Sequence, residues 1–131
     1  MKKIHYIALL LILFSVAGCI STTQPPEKKY TDISFQQAKE MIDSGEVFIL
    51  DVRTQEEYDA GHIRGSTLIP VQVLKERLDE IPKDKKILVY CRTGGRSAQA
   101  SEILVNNGFK EIYNMKGGIT DWTNAGYEVV K

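Results

Sequence analysis

Short apolar runs alternate with amphipathic stretches along most of the chain. Two runs, 47–50 and 87–90, are continuously apolar, which is typical of strands buried on both faces of a sheet. Shorter runs predict three more strands, at 30–33, 67–69 and 111–113. Helical spacing and helix-start signals predict helices over 34–42, 55–59, 71–78, 98–106 and 120–124. This alternation indicates an α/β domain with a mainly parallel sheet.

Two of the predicted helices begin with a capping box, in which Ser or Thr is followed three residues later by Gln or Glu. Ser34 with Gln37 opens the first helix, and Thr54 with Glu57 opens the second. In each pair, each side chain accepts a hydrogen bond from the backbone N–H of the other residue. Both helix starts are therefore specified by nearby residues.

The first 18 residues have a different pattern. Lys2 and Lys3 precede a largely apolar stretch, 4–14, and small residues follow, which is the layout of a secretory signal. The apolar part is shorter than the ~20 residues of a comfortable membrane span. Residues 16–19, Val-Ala-Gly-Cys, resemble the lipobox of bacterial lipoproteins, in which the signal is cut before the cysteine and the cysteine carries lipid chains. An ordinary signal peptide with an incidental Cys19 is the alternative.

These patterns divide the chain into a signal peptide (1–18), a polar tether (19–29) and one domain (30–131). The lipobox resemblance implies an exported protein anchored through Cys19 to a bacterial membrane, on its periplasmic or extracellular face. Loss of the signal removes two of 17 basic side chains and none of the 17 acidic ones, leaving a net charge of −2. A nucleic-acid partner, which needs a basic face, is therefore not expected. One domain with its own anchor is expected to be a monomer.

The second cysteine, Cys91, begins the segment Cys-Arg-Thr-Gly-Gly-Arg between a predicted strand and a predicted helix. If Cys19 is lipidated, Cys91 has no cysteine with which to form an internal disulfide. Strand, glycine-containing loop and helix form a layout that aims backbone N–H groups at an anion. Arg92 and Arg96 add positive charge, so the pKa of Cys91 should fall below its usual ~8.5.

The glycines of this loop, Gly94 and Gly95, permit positive φ, which lets the N–H groups of Arg92, Thr93 and their neighbours converge on the Cys91 sulfur. A purely structural buried cysteine is the alternative, but an apolar core position would not be followed by Arg-Thr-Gly-Gly-Arg. The loop alone could serve phosphate, arsenate or sulfur chemistry.

Three blocks of sequence resemble the rhodanese-type sulfurtransferases. Cys-Arg-Thr-Gly-Gly-Arg-Ser, at 91–97, is similar to the active-site loop of that family. Asp51-Val52-Arg53-Thr54, continued by 57–58, 61–63, 65–66 and 69–70, resembles its first signature, and 115–118 with Trp122 resembles its closing one. The resemblance implies an α/β rhodanese-like fold, with a mainly parallel five-stranded sheet flanked by helices on both faces.

The resemblance also implies a reaction. The Cys91 thiolate would take a sulfane sulfur from a small anionic donor such as thiosulfate, and the resulting persulfide would pass it to a thiol or to cyanide. No cofactor or metal is implied. Arg92 would meet the anionic donor, whereas Arg96 would brace the loop, with Asp51 as its suggested partner. Asp51 and Arg53 could form a structural ion pair or contact the substrate, and this choice stays open.

Loop length distinguishes a sulfurtransferase of this type from the cysteine-dependent phosphatases, which place an arginine six positions after the cysteine. Here Arg96 is five positions after Cys91, a spacing that favours sulfur transfer. His62 is expected to hydrogen-bond a nearby loop and not to act as a base. A persulfide carrier and a non-catalytic interaction module are the alternative functions. An interaction module usually lacks the cysteine that this chain keeps.

Overall fold

The structure is a computed structural model that describes residues 18–21, 23 and 29–131. The predicted signal peptide, apart from residue 18, and most of the predicted tether lie outside the described residues, so both remain predictions. Cys19 is exposed. Within the described ranges, no helix combines the length and the apolar character required to cross a membrane.

Five strands form one sheet in which every pairing is parallel. They are β1 (Thr31–Ile33), β2 (Val47–Asp51), β3 (Thr67–Leu68), β4 (Lys86–Tyr90) and β5 (Ile112–Met115). Their order across the sheet is β1-β5-β4-β2-β3, which puts the two most apolar strands, β4 and β2, side by side in its interior. The predicted five-stranded parallel sheet is confirmed.

Helices cover both faces of this sheet. They are α1 (Phe35–Asp43), α2 (Gln55–Ala60), α3 (Gly95–Asn106) and α4 (Gly118–Asn124), with a 3₁₀ segment over Val71–Glu80. On one face α3 packs against β4, β5 and the 3₁₀ segment, and on the other α1 packs against β2 and α4. Both predicted capping boxes, at Ser34 and Thr54, are formed.

Two predicted helices differ from the structure. The stretch predicted as 71–78 is a 3₁₀ segment whose buried side chains, Val71 and Leu74, are three residues apart, the spacing that stacks side chains in a 3₁₀ turn. Arg77 interrupts it with a non-helical backbone. Helix α3 begins at Gly95, three residues earlier than predicted, so Gly95 and Arg96 belong to its first turn and not to a free loop.

Alternation along β4 divides the core into two layers. Ile87 and Val89 face the α3 side together with Cys91, while Leu88 and Tyr90 face the α1 side. The register pairs Asp51 with Tyr90, so β2 and β4 end together. Since ligand sites in parallel sheets form outside the carboxyl ends of strands, this edge is the expected place for chemistry.

Candidate active site

Cys91 lies at this edge, at the start of the turn between β4 and α3. Its side chain is buried, with 1% of the residue exposed. The Gly94 N–H donates to the Cys91 sulfur at 3.1 Å, and the Ser97 Oγ lies 3.4 Å from that sulfur. Gly94 adopts φ +114°, a value that favours glycine, whereas Gly95 is helical and has no positive φ. Only one of the two glycines therefore uses the freedom expected of both.

The electrostatics of this turn favour the thiolate. Burial by itself raises the pKa of Cys91, but hydrogen bonds from the Ser97 hydroxyl and from the N–H groups of Ser97, Gly94 and Thr93 outweigh burial. The net effect is a pKa below the ordinary value. Convergent donors from one turn stabilise negative charge because they need no reorganisation when it forms.

Ser97 is expected to matter for this ionisation. Its hydroxyl donates to the Gly94 carbonyl at 3.0 Å and is placed to donate to the sulfur once the thiol proton leaves. We expect Ser97→Ala to raise the pKa of Cys91, because the thiolate loses one donor. The reactive thiolate disappears as pH falls through its pKa, so the variant should lose reactivity at a higher pH than the wild type.

The measurement is the rate of Cys91 alkylation against pH, in a Cys19→Ser background. Ser101→Ala is the matched control, because that buried hydroxyl donates to the Ser97 carbonyl at 2.7 Å and not to the sulfur. In Ser101→Ala, the alkylation rate should fall at the same acidic pH as in the wild type. If the rate of Ser97→Ala also falls at the wild-type pH, the role assigned to the Ser97 hydroxyl is contradicted.

Arg96 braces the turn, but its partner is Glu57 and not Asp51. Two charge-assisted hydrogen bonds of 2.7 and 2.9 Å join its guanidinium to the Glu57 carboxylate. The suggestion of Asp51 is wrong because the guanidinium of Arg53 already occupies that buried carboxylate. Glu57 also closes the capping box of α2 with Thr54, so it connects that helix start to the active-site turn.

The Arg96–Glu57 pair should make stability depend on pH. Its hydrogen bonds lower the pKa of Glu57 from 4.5 to about 2, so the pair's contribution is present above pH 4.5 and is lost as pH falls through about 2. We expect Glu57→Gln to cost about 1 kcal/mol of unfolding free energy at pH 7, because the pair is partly exposed. It should also flatten the acid dependence of stability.

Denaturant unfolding at pH 7 and at pH 3 measures this effect. Glutamine suits the capping box as well as glutamate does, so the substitution removes the charge pair alone. Glu56→Gln, at an exposed neighbouring position, is the matched control and should behave like the wild type. Equal stability of Glu57→Gln and wild type at both pH values would argue against the pair.

Asp51 and Arg53 form a buried ion pair. Their side chains are 0% and 5% exposed, and the Arg53 Nη2 to Asp51 Oδ2 distance is 2.7 Å. The same Nη2 donates to the Gly61 carbonyl at 2.8 Å. The pair therefore ties the end of β2 to the turn after α2 and leaves little of either side chain for a substrate to touch.

His62 hydrogen-bonds the backbone of α2, and not the nearby loop that was predicted. Its Nδ1 lies 2.8 Å from the Tyr58 carbonyl oxygen, and its ring stacks on the Tyr58 ring with centroids 3.6 Å apart. Its backbone N–H and carbonyl pair with those of Val130. These contacts secure the C-terminal segment against the turn that follows α2.

The start of α4 supports the active-site turn from behind. The Ile119 N–H donates to the Cys91 carbonyl at 2.9 Å, and the Thr120 N–H donates to the Arg92 carbonyl at 3.1 Å. Gly118 has φ +54°, and a methyl group there would overlap both carbonyl groups. The closing sequence block therefore contacts the backbone that carries the nucleophile.

The side chains at the surface of the turn, Arg92 and Thr93, are exposed. The Arg92 guanidinium makes no hydrogen bond or ion pair with the part of the chain that the structure describes, so its charge is available to an anion. No group of three or more His, Cys, Asp and Glu side chains in the described ranges is placed to hold a metal ion.

Sequence reasoning missed three contributors to this site. The resemblance at 91–97 includes Ser97 but gives its hydroxyl no role, although a hydroxyl in the first turn of the helix is a local signal for it. Glu57 is predicted as part of a capping box and of the first signature, and not as the partner of Arg96. The docking of Gly118 has no local signal, because it brings together residues 26 positions apart.

Comparison with known proteins agrees with this geometry. The family model of the Rhodanese-like domain matches residues 34–125. A sulfurtransferase of Allochromatium vinosum is 34% identical over 93 residues, covering 71% of this chain and 87% of that protein. A thiosulfate sulfurtransferase of Coxiella burnetii is 36% identical, with coverages of 71% and 87%. The crystal structure of a rhodanese-related protein from Thermoplasma volcanium has a TM-score of 0.72 and 38% identity, over 77% of this chain and 98% of that one. This chain belongs to the rhodanese-like family.

Proposed function

We propose that this protein is a sulfurtransferase that carries a sulfane sulfur on Cys91, taking it from thiosulfate or a similar anionic donor. The observation that carries the proposal is the turn around the buried Cys91 sulfur, in which the Gly94 N–H donates to the sulfur at 3.1 Å and the Ser97 Oγ lies 3.4 Å from it. The same donors can stabilise a persulfide anion attached at that position. The sequence identity to the thiosulfate sulfurtransferase of Coxiella burnetii also supports a thiosulfate-like donor.

The proposed reaction balances without a cofactor. The Cys91 thiolate attacks the outer sulfur of thiosulfate, a new S–S bond forms, and the old one breaks as sulfite leaves with its electron pair. Cyanide or a thiolate then attacks the outer sulfur of the persulfide, and Cys91 leaves as the thiolate. The exposed guanidinium of Arg92 would attract the donor, while Arg96 is neutralised by Glu57.

Mass spectrometry of the intact protein tests this function. After thiosulfate treatment and removal of excess donor, we expect one added sulfur, located on Cys91 by peptide mapping. Cyanide should remove the sulfur and release thiocyanate. A protein that stays at its original mass would contradict the proposal. Slow turnover with small acceptors, combined with rapid transfer to a protein partner, would instead identify a persulfide carrier.

We also propose that the enzyme works outside the cytoplasm, anchored by lipid on Cys19. The apolar stretch that precedes residues 16–19 supports this proposal, as does the exposed position of Cys19 ahead of the domain. More than one acyl chain would make such an anchor stable. In bacteria expressing the full chain, wild type should partition into the detergent phase and Cys19→Ser into the aqueous phase. Equal partitioning of the two proteins would contradict the anchor.

A further inference from the structure

Asn114 is a buried polar residue whose hydrogen bonding is incomplete. It lies on β5 in register with Val89 of β4 and Asp32 of β1, and only 3% of it is exposed. Its Nδ2 donates to the Asp32 carboxylate at 3.0 Å. Its Oδ1 has no hydrogen-bond partner among the described residues. A buried acceptor without a donor costs free energy, so its retention calls for an explanation.

This amide lies beside the active-site turn. Asn114 lines a cavity of about 270 Å³ together with Asp32, Lys116, Thr93 and Gly94. Gly94 is the residue whose N–H donates to the Cys91 sulfur at 3.1 Å. The cavity therefore borders the turn that surrounds the nucleophile. Its volume is several times the ~30 Å³ that one water molecule occupies in the liquid.

The polar groups of this cavity select for a donor of hydrogen bonds. The Asn114 Oδ1 can only accept, and the Asp32 carboxylate beside it adds negative charge. An ammonium group satisfies both requirements, whereas an anion would be repelled. Lys116 is exposed at the same cavity and can pair with a carboxylate. An acceptor oxygen, a carboxylate and an ammonium together complement the head group of an α-amino acid.

We infer that this cavity is a subsite for the amino group of the sulfur acceptor, which is an aminothiol of the cysteine type. The inference rests on the proposed function, since it specifies the molecule that takes sulfur from Cys91. In the transfer step, the aminothiol thiolate attacks the outer sulfur of the Cys91 persulfide anion. The new S–S bond forms as the bond to Cys91 breaks, so the products are the Cys91 thiolate and the aminothiol persulfide.

Two acceptors that differ only in the amino group test the subsite. L-cysteine and 3-mercaptopropionate share the thiol, the chain length and the carboxylate that Lys116 would pair with. The full chain is loaded with thiosulfate, the persulfide is confirmed by mass, and single-turnover transfer to each acceptor is then measured per thiolate. We expect L-cysteine to react about tenfold faster. Equal rates from a loaded enzyme overturn the subsite, whereas failure to load overturns the proposed function.

Substitutions locate the effect at Asn114. Asn114→Leu removes the acceptor and should bring the ratio of the two rates to about one. Asn106→Leu, at an exposed position at the end of α3, is the control and should keep the tenfold ratio. Asn114→Asp keeps an acceptor and adds negative charge, so its ratio should equal or exceed that of the wild type. An unchanged ratio in Asn114→Leu, or a lower ratio in Asn114→Asp, overturns the inference. If the leucine variant does not fold, the aspartate variant alone decides.

Discussion

Replacing Cys91 by serine is expected to abolish sulfur transfer. The persulfide forms on the Cys91 sulfur, and a serine hydroxyl at neutral pH is neither ionised nor able to hold a sulfane sulfur. We expect kcat/KM to fall by at least about 10⁴-fold, which corresponds to about 5.4 kcal/mol of activation free energy. Thiocyanate release from thiosulfate and cyanide measures the loss, and intact-protein mass should show no added sulfur.

The chain contains one other cysteine, which makes the control direct. Cys19→Ser should transfer sulfur at the wild-type rate, because Cys19 precedes the domain and is exposed. The Cys91→Ser variant should remain folded, since a serine oxygen can accept from the Gly94 N–H and pair with Ser97 as the sulfur does. Persulfide formation in Cys91→Ser, or its loss in Cys19→Ser, would show that the nucleophile is misassigned.

The second large effect is expected from Gly118→Ala, far from Cys91 in sequence. A methyl group at position 118 would overlap the carbonyls of Cys91 and Arg92, and the glycine also sits at φ +54°. Relief of the overlap requires α4 to retreat, which breaks the hydrogen bonds from Ile119 and Thr120 to those carbonyls. We expect a loss of about 3 kcal/mol of stability and a roughly 100-fold slower transfer, because a small displacement misplaces the nucleophile.

A second glycine separates backbone strain from the overlap. Gly126 has φ +82°, and no atom lies within 4 Å of an added methyl group, so Gly126→Ala introduces strain alone. It should cost about 1 kcal/mol and leave the transfer rate unchanged. Unfolding curves and thiocyanate kinetics of the two variants provide the comparison. Similar kinetics for both would show that contact between α4 and the active-site turn has no role in positioning Cys91.

Most of the architecture could be predicted because its signals are local. The continuous apolar runs at 47–50 and 87–90 lie in β2 and β4, and the capping boxes at Ser34 and Thr54 mark the starts of α1 and α2. The two helix predictions that were wrong also have local causes. Gly94 adopts a left-handed conformation that lets α3 begin at Gly95, and the spacing of Val71 and Leu74 suits a 3₁₀ turn as well as an α-helix.

The site was only partly predictable for a different reason. Cys91, its place after a strand and its electropositive neighbours are adjacent in sequence, so the thiolate-stabilising turn could be recognised there. The partner of Arg96 could not be chosen in the same way. Asp51 and Glu57 are both acidic residues in the first signature, so either could pair with Arg96. In the structure, Arg53 forms an ion pair with Asp51, and Arg96 pairs with Glu57.

The sequence by itself determined the order of strands and helices, the nucleophile and the six-residue turn that carries it, because hydrophobic period, caps and glycine positions act over a few residues. The tertiary structure decided which distant residues complete the site. Glu57 meets Arg96 across 39 positions, and Asn114 meets Asp32 across 82. Gly118, which is also distant in sequence, packs closely against the Cys91 carbonyl. These contacts depend on strand order and register, which bring the carboxyl ends of parallel strands to one edge and have no signature in any single segment.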